Sequence, residues 1–122
     1  MRMEELDADV PMEAQLAEAG GGPVVLVNVI HVPGDRVDAF LAALTEEAQY
    51  MKARQGCLSV QLHRGIAGSN TFLNYAVWES VAVFRAAFTD PAFREKLARY
   101  PDGVTASPHL FREMAVPGVC AG

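Results

Sequence analysis

The chain has 122 residues, 51% of them hydrophobic, which suffices for one domain with one sizeable core and not for two. Its net charge of −5 sits in residues 1–22, where Glu4, Glu5, Asp7, Asp9, Glu13 and Glu18 face Arg2 alone; the remainder holds nine acidic and nine basic side chains, and this balance argues against nucleic-acid binding. No stretch approaches the ~20 apolar residues of a membrane span. The acidic N-terminus lacks the apolar segment of a secretory signal, and Cys57 and Cys120 read as free thiols of a reducing compartment, so a cytoplasmic location is expected.

Residues 1–23 read as an acidic, solvated extension ending in a glycine-rich hinge, "GGGP". One helix is expected within it, Pro11 to Ala19, with proline at the first position. The hinge precedes a strand, whereas a dinucleotide loop follows one. Residues 24–117 form the expected domain, and residues 118–122 a short tail. "VVLVNVIHV", residues 24–32, is β-branched and apolar on both faces, as in a central strand, and Asn28 interrupts it. "PGD" then breaks the strand, with Asp35 as the expected cap of a helix whose apolar stripe is Val37, Leu41, Leu44, Ala48 and Met51. Gly56 ends that helix.

"CLSVQLHRG" alternates as a second strand, and "IAGSN" is a hairpin turn leading to a third, residues 71–79. Ser80 caps a helix with Val81, Phe84 and Phe88 on one face, and Asp90-Pro91 starts another, lined by Phe93, Leu97 and Tyr100. "HLFREMAV", residues 109–116, is the expected last strand. The order βαββαβ, with right-handed crossovers, predicts an α+β fold: a ferredoxin-like four-stranded antiparallel sheet with helices on one face. The other face also carries apolar residues, so a second copy of the chain is expected to cover it, giving a homodimeric α+β barrel.

The chemistry-bearing residues are few. His31, His63 and His109 lie in no metal-binding spacing, and the first two belong to strands that are not neighbours. Cys57 follows a helix end and reads as a small core residue, and no GxSxG is present. The third strand lacks the basic, glycine-containing motif of an RNA-binding sheet. What remains is "NYAVWES", residues 74–80. Alternation places Phe72, Asn74, Ala76 and Trp78 on one face, and Leu73, Tyr75 and Val77 on the other. A single tryptophan is commonly core, and a single asparagine commonly bonds a neighbouring backbone group. Yet in this topology Asn28 lies on the adjacent central strand, and two amides with an indole N–H inside an apolar shell suit a flat, partly polar ligand.

Residues 24–116 resemble the antibiotic biosynthesis monooxygenase family, small dimeric α+β-barrel proteins. The stretches that carry the resemblance are "LVNVI", "NYAVWES" with "VAVFRAAF", and "DPAF". The Asn74-x-x-x-Trp78 spacing, together with Asn28, is similar to that of the family's cofactor-independent anthrone monooxygenases, which use molecular oxygen to turn an anthrone-type ring into a quinone without flavin, haem or metal. The resemblance implies a homodimer with a small aromatic substrate, molecular oxygen as co-substrate and no cofactor. It also implies catalytic roles for Asn28, Asn74 and Trp78. Haem-degrading members carry a second tryptophan and a haem-ligating histidine where this chain has Ala87 and Leu97, which cannot replace them. Where some quinone-forming members place a tyrosine after the tryptophan, the nearby aromatic is Phe84, so a phenol contact comes from Tyr75 or Tyr100 or is absent.

The chemistry fits these residues. Loss of a proton gives an anthrone anion able to pass one electron to oxygen, and neutral donors stabilise the enolate or peroxide that results. Phe72, Phe84, Phe88 and Phe93 are candidates to wall the rings and equally for ordinary core. No buried general base is evident, so deprotonation is expected to rest on the acidity of the phenol itself. The alternatives are a non-catalytic binder of a small aromatic metabolite on the same fold, and a structural dimer module.

Overall fold

The computed structural model describes residues 1–122. In chain order the elements are β1 (Arg2–Met3), α1 (Met12–Leu16), β2 (Val24–His31), α2 (Val37–Lys52), β3 (Cys57–Arg64), β4 (Thr71–Trp78), α3 (Val81–Phe88), α4 (Pro91–Leu97) and β5 (Thr105–Phe111). The strands lie in the order β1-β5-β2-β4-β3. β2 to β5 make the expected antiparallel ferredoxin-like sheet. The sheet has five strands and not four, because β1 pairs in parallel with Thr105 and Ala106 of β5.

The N-terminal segment is therefore no solvated tail. Met12 is buried in the core, and Gln15 is buried with both ends of its amide engaged. Its Nε2 donates to the Val10 carbonyl at 2.9 Å, and its Oε1 accepts from the Leu110 N–H at 2.8 Å. The Arg85 guanidinium donates to the Leu16 carbonyl at 2.7 Å and closes the end of α1, which is shorter than the stretch 11–19 expected. Met12 and Gln15 reach the core, and two acidic side chains also hold the segment: Glu5 accepts from the Met12 N–H at 3.0 Å, and Glu18 pairs with Arg112.

β5 begins at Thr105, earlier than position 109, and ends at Phe111. Pro108 falls inside this strand, and the sheet tolerates it. The Leu110 N–H points away from β2 and meets Gln15; two residues earlier, the same outward position falls to Pro108, which has no donor to satisfy. The caps at Ser80 and Asp90 form as the sequence predicts, accepting from the Val83 and Ala92 N–H groups respectively. Asp35 is no such cap; it lies in a 3-10 turn, Gly34–Arg36, that leads into α2. Gly56 has φ +88°, and a Cβ there would stand 2.6 Å from Val83, so only glycine fits this turn.

The buried face of α2 is Phe40, Ala43, Leu44, Glu47 and Met51, rotated from the expected stripe, and Leu41 is left 37% exposed. Phe40 fixes the rotation: it is fully buried, with ring centroids 4.8 Å from Phe72 and 5.6 Å from Tyr100. The rotation also carries Glu47 inside.

The helices cover one face of the sheet, and the core beneath them is split. One cluster gathers Val24, Leu26, Ala76, Trp78, Phe84, Phe88 and Phe93 with Met12 and Met51; the other gathers Ile30, Phe40, Leu44, Phe72, Tyr100 and Val104. Along β2 the boundary between them is Asn28, and along β4 it is Asn74. The opposite face presents Val25, Val27 and Val29 of β2 beside Leu73, Tyr75 and Val77 of β4, with no helix over them.

Candidate functional site

The polar residues at the core boundary are in direct register. Asn28 stands opposite Asn74, with Leu26 opposite Ala76 and Val24 opposite Trp78 on the same face. On its other side Asn28 faces Pro108, which offers the amide no donor. Leu62 of β3 lies beyond Asn74. Each asparagine is thus flanked by groups that leave its side chain free.

The Oδ1 atoms of Asn28 and Asn74 and the indole Nε1 of Trp78 are all buried without a hydrogen-bond partner. A buried polar atom left so costs about 1–3 kcal/mol, and three of them belong to residues that stand on one face of two neighbouring strands. Rotating an amide by 180° exchanges its oxygen and nitrogen, so each asparagine presents either an acceptor or a donor. A fourth unpaired group, the Tyr50 hydroxyl, lies outside this cavity.

Asn28, Asn74 and Trp78 line one cavity between the sheet and the helices. Its apolar wall includes Leu26, Met51, Phe88, Phe93 and Leu97, and Met3 of β1 lies at its side. The cavity is small, about 20 Å³. The walls are close together, and two are methionines, whose unbranched side chains rearrange readily.

Of the residues singled out from sequence, the structure brings Asn28, Asn74, Trp78, Phe88 and Phe93 into this cavity. Phe84 stands behind Trp78, edge to face at 5.3 Å and 74°, and supports it without lining the cavity. Phe72 belongs to the other core cluster. Tyr75 is on the opposite sheet face and 38% exposed. Tyr100 packs on Phe40 outside the cavity; burial, and then the charge of Glu47, raise its hydroxyl pKa far above the ordinary value. The histidines do not converge: β4 separates His31 from His63, and no group of three or more His, Cys, Asp and Glu side chains is placed to hold a metal ion.

Glu47 is the residue that sequence reasoning missed. It lines the cavity from the middle of α2, is 8% exposed, and burial alone pushes its carboxyl up to about 7. Its neighbour Glu46 points to solvent and pairs with Arg99, which holds the Glu46 carboxyl below its ordinary value. Two adjacent glutamates thus have opposite environments. The signal in the sequence was the i, i+4, i+7, i+11 series Phe40, Leu44, Glu47, Met51, overshadowed by the wholly apolar series Val37, Leu41, Leu44, Ala48, Met51, which shares Leu44 and Met51 with it.

The sequence model of the antibiotic biosynthesis monooxygenase family matches residues 23–99. No curated protein matches the chain. Among solved structures, SnoaB of Streptomyces nogalater, a cofactor-independent oxygenase, superposes with a TM-score of 0.71 at 24% identity, covering 80% of this chain and 98% of that one. A candidate monooxygenase of Shewanella loihica PV-4 superposes with a TM-score of 0.67 at 29% identity, covering 80% and 100%. A candidate antibiotic biosynthesis monooxygenase of Caulobacter crescentus CB15 gives 0.68 at 16% identity, covering 78% and 92%. At 24% and 16% identity, the first and third of these likenesses show the fold.

Proposed function

The chain belongs to the antibiotic biosynthesis monooxygenase family, and on that premise we propose that it is a cofactor-independent monooxygenase, converting an anthrone-type or polycyclic phenolic substrate to a quinone with molecular oxygen. The observation that carries the reading is the facing Asn28–Asn74 pair beside Trp78, with three unpaired buried polar atoms inside an apolar cavity. In this reading the amides and the indole N–H bind the oxygen of the substrate anion and then the peroxide formed from it. They are fixed in a dry site before the charge develops, which is where such donors act most strongly. Phe88 and Phe93, with ring centroids 5.4 Å apart, bound the flat rings. SnoaB, of the same fold, is described as a cofactor-independent oxygenase, which supports the reading.

The test is oxygen uptake with a hydroxyanthrone, using protein checked for bound flavin, haem and metal. We expect a colourless protein whose turnover a chelator leaves unchanged, with one oxygen consumed per quinone formed. Stoichiometric flavin, haem or iron that turnover requires contradicts the mechanism. Tight binding of the hydroxyanthrone without oxygen uptake identifies a metabolite-binding protein instead.

We propose a homodimer joined through the apolar sheet face that no helix covers. Sedimentation at micromolar concentration is expected to give twice the chain mass, and a stable monomer contradicts this assembly. The narrow cavity requires Met3, Met51 or Leu97 to shift before three fused rings enter. Met3 is 37% exposed, so Met3→Ala should lower KM for a three-ring substrate several-fold with little change in Tm. An unchanged KM means that β1 does not border the path of the substrate.

A further inference from the structure

We propose that Glu47 is the general base of this site: its carboxylate accepts the proton whose loss turns the bound phenol or anthrone into the anion that reacts with oxygen, and later returns a proton to the oxygen that leaves. The proposal rests on the oxygenase reading above and assigns the step for which the asparagines and the tryptophan, none of them a base, provide nothing.

The placement carries the argument. Glu47 sits on the helix that faces the sheet, and it opens into the same cavity as Asn28, Asn74 and Trp78. No hydrogen bond or ion pair engages its carboxylate, and burial is the sole cause of its altered acidity. A structural glutamate in such a place would have a cation or a set of N–H donors, because an unpaired buried charge is costly. The groups around it offer neither. On its own helix Glu46 is committed to Arg99, and the Tyr50 hydroxyl is unpaired. After α4 come Arg99, which also reaches Glu95, and Tyr100, whose hydroxyl stays protonated. On β3 Arg64 is held at the hairpin by the Ser69 carbonyl and Asn70. From the N-terminal segment Arg2 and Glu4 pair with each other, and only Met3 reaches the cavity. β2 and β4 contribute neutral amides. A carboxyl that titrates near neutrality is suited to both accepting and giving a proton at the working pH.

The steps balance. Glu47 takes one proton from the ring methylene or its phenolic tautomer. The anion passes one electron to dioxygen, and the resulting radical and superoxide combine to form a C–O bond. Glu47 returns its proton to the terminal peroxide oxygen, then removes the second proton from the same carbon as the O–O bond breaks. The carbonyl forms, hydroxide leaves, and the proton on Glu47 converts it to water. Substrate and dioxygen give quinone and water, and the carboxylate is regenerated.

Glu47→Gln keeps the shape and removes the base. The rate of the natural protein should rise through one ionisation near pH 7 and then level. The variant should lose that ionisation and turn over roughly 10²–10⁴-fold more slowly, the range for a positioned acid–base group, with KM little changed. A second readout is independent of oxygen. Mixed anaerobically with a hydroxyanthrone at pH 7.5, the natural protein should show the red-shifted absorption of the bound anion, and Glu47→Gln that of the neutral compound. If the natural protein consumes oxygen and Glu47→Gln matches it in rate and pH profile, Glu47 is not the base and the oxygenase reading stands. If the natural protein consumes none, the oxygenase reading itself fails. An anion spectrum equally strong in the variant overturns the proposal even where rates differ.

Discussion

Asn74→Ala is expected to lower kcat by roughly 10²–10³-fold in a protein that still folds, the loss typical of one preorganised donor aimed at a developing anion. The structure makes the two effects separable. The Asn74 oxygen has no partner in the protein, so truncation breaks no internal hydrogen bond to it and removes an unsatisfied buried polar group. The same holds for Trp78→Phe. Had the indole N–H been bonded to a carbonyl, the change would orphan that carbonyl; it is unpaired, so the loss of stability is confined to a small void beside Phe84. Turnover should fall while Tm falls modestly. Measuring kcat per folded protein beside thermal unfolding decides the matter. Unchanged kcat in both folded variants would make the Asn28–Asn74–Trp78 group core packing alone.

Glu47→Gln should also stabilise the protein above neutral pH. The carboxyl titrates at about 7 in the folded chain and near 4.5 in its ordinary state. Because its folded pKa is raised, protonation favours the folded state. That contribution is complete below pH ~4.5 and is lost as pH rises through ~7. The difference corresponds to roughly 3 kcal/mol at pH 8. Glutamine, neutral throughout, does not lose it. The variant and the natural protein should therefore have similar stability at pH 4 and diverge to roughly 3 kcal/mol by pH 8, read from urea unfolding at each pH. Parallel pH dependences would mean that the Glu47 carboxylate is hydrated or paired in solution. A residue that lowers stability at working pH while facing the site is the pattern of function traded against stability.

How far the sequence reaches is clearest from particular residues. Period-two alternation in β4 put Asn74 and Trp78 on one face, as the structure has them. The topology made β2 and β4 neighbours, but the facing of Asn28 and Asn74 was not legible, because a crossover helix between strands does not fix their register. Glu47 was hidden because α2 supports two overlapping apolar stripes, and the choice between them lies with Phe72 and Tyr100, which come from other elements. β1 has two residues and no pattern of its own; it exists because β5 offers it an edge. Aromatic side chains carry no label saying which core they fill. Phe88 and Phe93 border the cavity, while Phe72 joins the second cluster and Phe84 supports Trp78 from behind.

The central claim is that the cavity lets a substrate anion, and no bound redox group, reduce oxygen. Turnover of a hydroxyanthrone under ¹⁸O₂ tests it most directly, using protein free of flavin, haem and metal. One ¹⁸O atom in each quinone, formed at a rate that depends on the protein and falls with Asn74→Ala, is the result predicted. Quinone whose new oxygen comes from water, or whose formation is no faster with the protein than in buffer, would contradict it.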